Sequence, residues 1–199
     1  MRHWTQDCGD PHAEIAAHLG RVRDLPVSLS LQQPVPGMMQ RECEVALTVQ
    51  IAEDIKAKMF IDVGTGAGQT TQRVHDTMGD DCSIVGFDWK PRGPFAISSK
   101  IEHWYGDLFA DDAATLRKMV AQAERPLFVY CDNGHKIREL DIVSEHMCVG
   151  DVIGCHDYGT EVPHDSVPFL AERGFEVMED VQRWIEDTRC LQQFWKKVR

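Results

Sequence analysis

The sequence lacks any C-x-x-C pair, and its seven cysteines are scattered. An odd number without framework spacing excludes a disulfide scaffold and points to a reducing, cytoplasmic setting. No apolar run approaches the ~20 residues needed to span a bilayer. The opening stretch, MRHWTQDCGDPHAEIAAHLG, has no long apolar core of the kind a secretory signal carries. Positive charge is also scarce: 21 lysines and arginines face 32 acids, for a formal net charge of −11. Such a surface repels phosphate backbones, which argues against a nucleic-acid partner. There is no internal repeat, no low-complexity tract and no linker, so residues 1–199 read as one domain. The 43% hydrophobic content is enough for a full core.

What is present is an alternation. After a helical pattern over 12–23 and a proline-punctuated, extended lead-in (LPVSLSLQQPVPG), residues 38–58 fit a helical period. Short apolar runs follow at 59–63, 83–88, 101–105, 127–132 and 151–156. Helical patterns lie between them near 69–78, 110–123 and 136–147. Strands this short and apolar, separated by helices, predict an α/β, doubly wound, mostly parallel Rossmann-like sheet with helices on both faces. After residue 156 a short helix near 167–173 precedes two strand-like segments, FEVMED and RCLQQFWKK, separated by VQRWIEDT. That ending predicts an antiparallel strand pair at the sheet edge.

The first strand runs directly into DVGTGAG: Asp62, Val63, Gly64, Thr65, Gly66, Ala67, Gly68. Glycines permit a tight turn and close approach of a ligand, and the helix that follows offers free N–H groups. The dinucleotide fingerprint is G-x-G-x-x-G, and here the third glycine comes one residue early. Asp88 ends the second strand, where an acid can accept hydrogen bonds from ribose hydroxyls. Trp89 could pack on an adenine face, and Asp107 follows the third strand. The D-x-G-x-G-x-G loop resembles motif I of class I S-adenosylmethionine (SAM) methyltransferases. That resemblance implies SAM as cofactor, with Asp107 near the adenine amino group. Each residue also has a plainer role open to it: Asp88 as a surface acid, Trp89 as a core aromatic, Asp107 as a helix cap.

The fourth strand ends in YCDNGHK (130–136) and the fifth in CHDYGTE (155–161). Across the switch point of such a sheet, strand four neighbours strand one, so Asp132 and Asp157 converge beside the ligand of the glycine loop. Two adjacent carboxylates repel unless one protonates or a cation lies between them. Oxygen ligands favour Mg²⁺, Mn²⁺ or Ca²⁺, and adding His156 tilts the choice toward a transition metal. Acid ligands after strands four and five resemble those of metal-dependent O-methyltransferases of the catechol and macrolide-sugar types. The D-x-x-H spacing of Asp132 and His135 is similar to the macrolide-sugar enzymes and the related cephalosporin-hydroxylase-like family. This resemblance implies Asp132, His156 and Asp157 as metal ligands, Mg²⁺ foremost, and His135 as general base. It spans about residues 38–160. Asp132-Asn133-Gly134 is also a good turn, His135 could simply start a helix, and His156 could be a buried, hydrogen-bonded histidine.

The expected activity is SAM-dependent, divalent-metal-assisted O-methylation of a small hydroxylated acceptor. Sugars, catechols and polyketide hydroxyls all remain open as acceptors. The segment 158–170 has no large lid, so residues 1–40 or a second copy of the chain, in a homo-oligomer, could complete the pocket. Two other classes stand beside this one: a NAD-dependent oxidoreductase and a non-catalytic SAM-binding protein. Non-methyl-transfer chemistry on the same scaffold is a third.

Overall fold

In the computed structural model, residues 40–91 and 98–199 are described. The expected helix over 12–23 and the proline-rich lead-in lie outside those residues. The first element is α1 (Glu42–Asp54). Its start is fixed by a capping box, in which the backbone N–H of Arg41 donates to the Glu44 carboxylate at 2.7 Å. There follow β1 (Met59–Val63), α2 (Gln69–Met78), β2 (Ser83–Asp88), β3 (Glu102–Tyr105), α3 (Ala114–Gln122), β4 (Leu127–Cys131) and α4 (Lys136–Ser144). The chain closes with β5 (Val152–His156), α5 (Pro168–Glu172), β6 (Phe175–Val177), α6 (Glu179–Thr188) and β7 (Gln192–Lys197).

The seven strands form one sheet in the order β3-β2-β1-β4-β5-β7-β6. Strands β1 to β5 pair in parallel, while β7 is antiparallel to both β5 and β6. The expected terminal antiparallel pair is therefore present, with β7 inserted beside β5 and the three-residue β6 at the edge. Alternation along β4 shows why the run is apolar throughout. Phe128 and Tyr130 pack into one core with α1, α2 and α6, while Leu127, Val129 and Cys131 pack into the other with α3, α4 and α5. Both faces are dry, so both parities must be apolar. The expected helix over 110–123 starts later, at Ala114. Asp111, Asp112 and Ala113 have positive φ, a left-handed stretch in which a right-handed α-helix cannot run.

Strand order reverses between β1 and β4. The carboxyl ends of these two strands thus form the crevice where open α/β sheets hold ligands. The two loops there touch. Asp132 N donates to Val63 O at 2.7 Å, and a Cβ placed on Gly64 would lie 2.4 Å from the Asp132 carbonyl carbon.

Candidate active site

The glycine loop is built as its sequence suggests. Gly64, Gly66 and Gly68 all have positive φ. The Gly64 and Thr65 amides both donate to Phe87 O, at 2.8 and 3.0 Å, which ties the loop to the end of β2. Thr65 is buried, its hydroxyl 3.2 Å from the carbonyls of Asp62 and Phe87. The Gly66 amide donates to Asp88 Oδ2 at 2.7 Å, so the loop and the acid of β2 face one another. Asp62 stands behind the loop. It is buried and accepts a 2.5 Å hydrogen bond from Thr71 on α2, and burial pushes its carboxyl up to about 7. Trp89 is 59% exposed at the rim of the crevice. Asp107 is exposed and accepts a hydrogen bond from Phe109 N at 2.9 Å, which closes a turn and is not the helix cap open to it from sequence.

At the ends of β4 and β5 the structure brings Asp132, His156 and Asp157 together, with one ligand atom of each within 4.8 Å of the others. His156 Nδ1 lies 3.1 Å from Asp157 Oδ1 and 3.6 Å from Asp132 Oδ1. Asp157 adopts a positive φ of 58°, and its carbonyl accepts from the amides of Thr160, Glu161 and Val162. A left-handed aspartate is a locally costly conformation of the kind that gathers at functional sites. Two carboxylates and an imidazole in this volume are a donor set that suits Mg²⁺, Mn²⁺ or a transition metal.

His135 does not join this group. It precedes the first turn of α4, is exposed, and packs edge-on against Phe109 with ring centroids 5.4 Å apart. It lines a cavity of about 620 Å³ that also touches Lys136, Arg138, Glu161 and Phe169. The residue that does join is Lys136, which sequence reasoning passed over although it closes the YCDNGHK segment. Its Nζ lies 2.9 Å from Asp157 Oδ2, 2.7 Å from Glu161 Oε2 and 3.5 Å from Asp132 Oδ1. The signal available was its place four residues after Asp132, one helical turn on.

Helix α1 and the residue pair before it complete the group. Gln40 Nε2 donates to Asp132 Oδ2 at 2.7 Å, and Thr70 Oγ1 on α2 donates to Gln40 Oε1 at 2.9 Å. Glu44 Oε2 lies 3.4 Å from His156 Nε2. Burial opposes the charge of every ionisable member, and partners override it in four, among them Lys136, whose ammonium is raised by Glu161 and Asp157. Glu44 is held down to about 2 by His156 and Arg41, and His156 is raised to about 9 by Glu44, Asp132 and Asp157. Asp157 is lowered by Lys136 and His156. For Asp132 burial wins and the carboxyl is raised, despite His156 and Lys136. The site is a buried, alternating lattice of charge.

No family model and no curated protein matches the chain by sequence. Solved structures do match. The apo structure of CmcI-N160 is 18% identical with a TM-score of 0.63, covering 98% of this chain and 86% of that one. PaMTH1, a methyltransferase of Podospora anserina with SAH bound, is 11% identical with a TM-score of 0.59, covering 96% and 89%. A Staphylococcus aureus protein assigned as a caffeoyl-CoA O-methyltransferase is 10% identical with a TM-score of 0.57, covering 92% and 91%. The chain shares the Rossmann-like fold of these methyltransferase structures. Within the methyltransferase fold, the glycine loop and the acid group of this chain share one sheet edge, joined through the Gly64–Asp132 contact. Among the described residues, no helix is long and apolar enough to cross a membrane.

Proposed function

We propose that the protein is a SAM-dependent methyltransferase that methylates a hydroxyl of a small acceptor with the help of a divalent ion. The observation that carries this reading is the Asp132–His156–Asp157 group at the ends of β4 and β5, packed against the glycine loop of β1. The glycine loop would hold SAM, with Asp88 available to its ribose hydroxyls, Trp89 to its adenine face and Asp107 to its adenine amino group. Asp132, Asp157 and His156 would hold the ion, which when bound would supply Lewis-acid polarisation of the acceptor hydroxyl. The acceptor occupies the cavity beside Lys136 and Glu161, where His135 is exposed to it. His135 takes the hydroxyl proton. The O–CH₃ bond forms as the S–CH₃ bond breaks, and its electron pair returns to sulfur as S-adenosylhomocysteine (SAH) leaves. Alignment in a rigid crevice supplies much of the rate, up to ~7–11 kcal/mol in well-oriented systems.

The test is calorimetric titration of SAM and SAH with Mg²⁺ and then with EDTA, with NAD⁺ as control. SAM binding without NAD⁺ binding, plus a metal-binding event lost in Asp132→Ala, supports the reading. Methyl transfer that persists unchanged in Asp132→Ala removes the metal from it. Binding of NAD⁺ in place of SAM overturns it entirely.

A further inference from the structure

Two carboxylates confined to a small volume repel unless one protonates or a cation lies beside them. In this protein, beside the His156 imidazole, the chain supplies an ammonium. Lys136 Nζ sits within 3.5 Å of Asp132 Oδ1 and 2.9 Å of Asp157 Oδ2, and its side chain is only 5% exposed. These are two of the three residues that the proposed function gives to the divalent ion. An ammonium and a divalent ion drawn to the same two carboxylates repel one another and compete for them.

We propose that Lys136 is the resident countercation of the Asp132–Asp157 pair, and that a divalent ion enters only by displacing its ammonium onto Glu161. The inference rests on the metal-assisted reading and concerns how that site fills and empties. Glu161 is suited to receive the ammonium. Its Oε2 is already 2.7 Å from Nζ, its side chain is 60% exposed, and it lies outside the group of three candidate ligands. Lys136 begins α4, and its flexible four-carbon stem lets the head move while the helix stays. The metal-free site is thereby electrically satisfied, and the apparent affinity for the ion is what remains after Lys136 has been evicted.

The test titrates MnCl₂ by calorimetry into chelator-stripped wild type, Lys136→Met and Lys136→Gln. Both variants should bind Mn²⁺ more tightly, by roughly tenfold or more for the loss of one adjacent positive charge. Both should also melt lower than wild type in chelator and recover with Mn²⁺. Binding seen only in the variants still supports displacement, while removing the metal from the wild-type reaction. Affinity equal to or weaker than wild type overturns the displacement and leaves the metal-assisted reading standing. No binding to any of the three overturns both. Glu161→Gln probes the same exchange at an exposed position. It should weaken Mn²⁺ binding by roughly threefold or more in the Lys136 background and change little beside Lys136→Gln. An equal loss in both backgrounds would show a general field effect and overturn the exchange.

Discussion

Gly64 has a φ of +99°, and any Cβ there would stand 2.4 Å from the Asp132 carbonyl carbon and 2.5 Å from Asn133 N. Backbone strain and collision therefore coincide at one position. Gly64→Ala is expected to destabilise the fold by about 2 kcal/mol or more and to abolish SAM binding, read by thermal melting and calorimetry. A variant that melts and binds like wild type would show that the two loops do not meet as described. Glu139 presents a different residue-scale problem. It is fully buried on α4, where Oε1 accepts from His135 N at 3.3 Å and Oε2 has no hydrogen-bond partner. Burial pushes its carboxyl from an ordinary 4.5 up to about 8. The unfolded chain releases this proton first, so the associated stability is full below about pH 4.5 and declines as pH rises toward 8. Glu139→Gln should flatten that decline, measured as the urea midpoint at pH 5 and pH 8. An unchanged slope would place its origin elsewhere.

At the scale of elements, α1 governs the charge of a residue on β5. Glu44, fixed by the capping box with Arg41, stands 3.4 Å from His156 Nε2. In chelator-treated protein, Glu44→Gln should lower the His156 pKa from about 9 by more than a unit, followed by imidazole NMR titration. The raised histidine contributes stability that is full below its ordinary 6.5 and is lost as pH rises through about 9. The variant should lose less over that window than wild type does. Strands β1, β2, β4 and β5 were legible because each is a short apolar run buried along almost its whole length, while β3 is a mostly exposed edge strand, and the turn into each following loop carries its own glycine or acid. Helix α1 was legible as a helix but not as part of the site. Gln40 reaches Asp132 across 92 residues of sequence, and no local period encodes that contact. Lys136 lay in plain view beside His135. Spacing alone gave both residues a claim, and only the direction of the first turn of α4 sends Lys136 inward among the acids and leaves His135 at the surface.

For the whole molecule, the consequence of one shared crevice is that the proposed cofactor and metal sites are adjacent yet separable. The cofactor loop meets Asp132 through main chain, at Gly64 and through the Asp132 N to Val63 O bond. The acid group would meet an ion through side chains alone. Ligand that binds only the folded state stabilises it by mass action, about 2.7 kcal/mol at a concentration one hundred times Kd. For a folded unit of this size that corresponds to a rise in Tm of about 5–11 °C. SAM at that excess should produce such a shift in wild type and, because the main-chain contacts survive, nearly the same shift in Asp132→Ala and Asp157→Asn. Asparagine tolerates the left-handed backbone that residue 157 adopts, so the second variant removes the charge without a backbone penalty. Mn²⁺ should then add its own stabilisation in wild type and none in either variant. If SAM stabilisation disappeared with the carboxylates, the two sites would be one, and the acids would belong to cofactor binding rather than to the acceptor's chemistry.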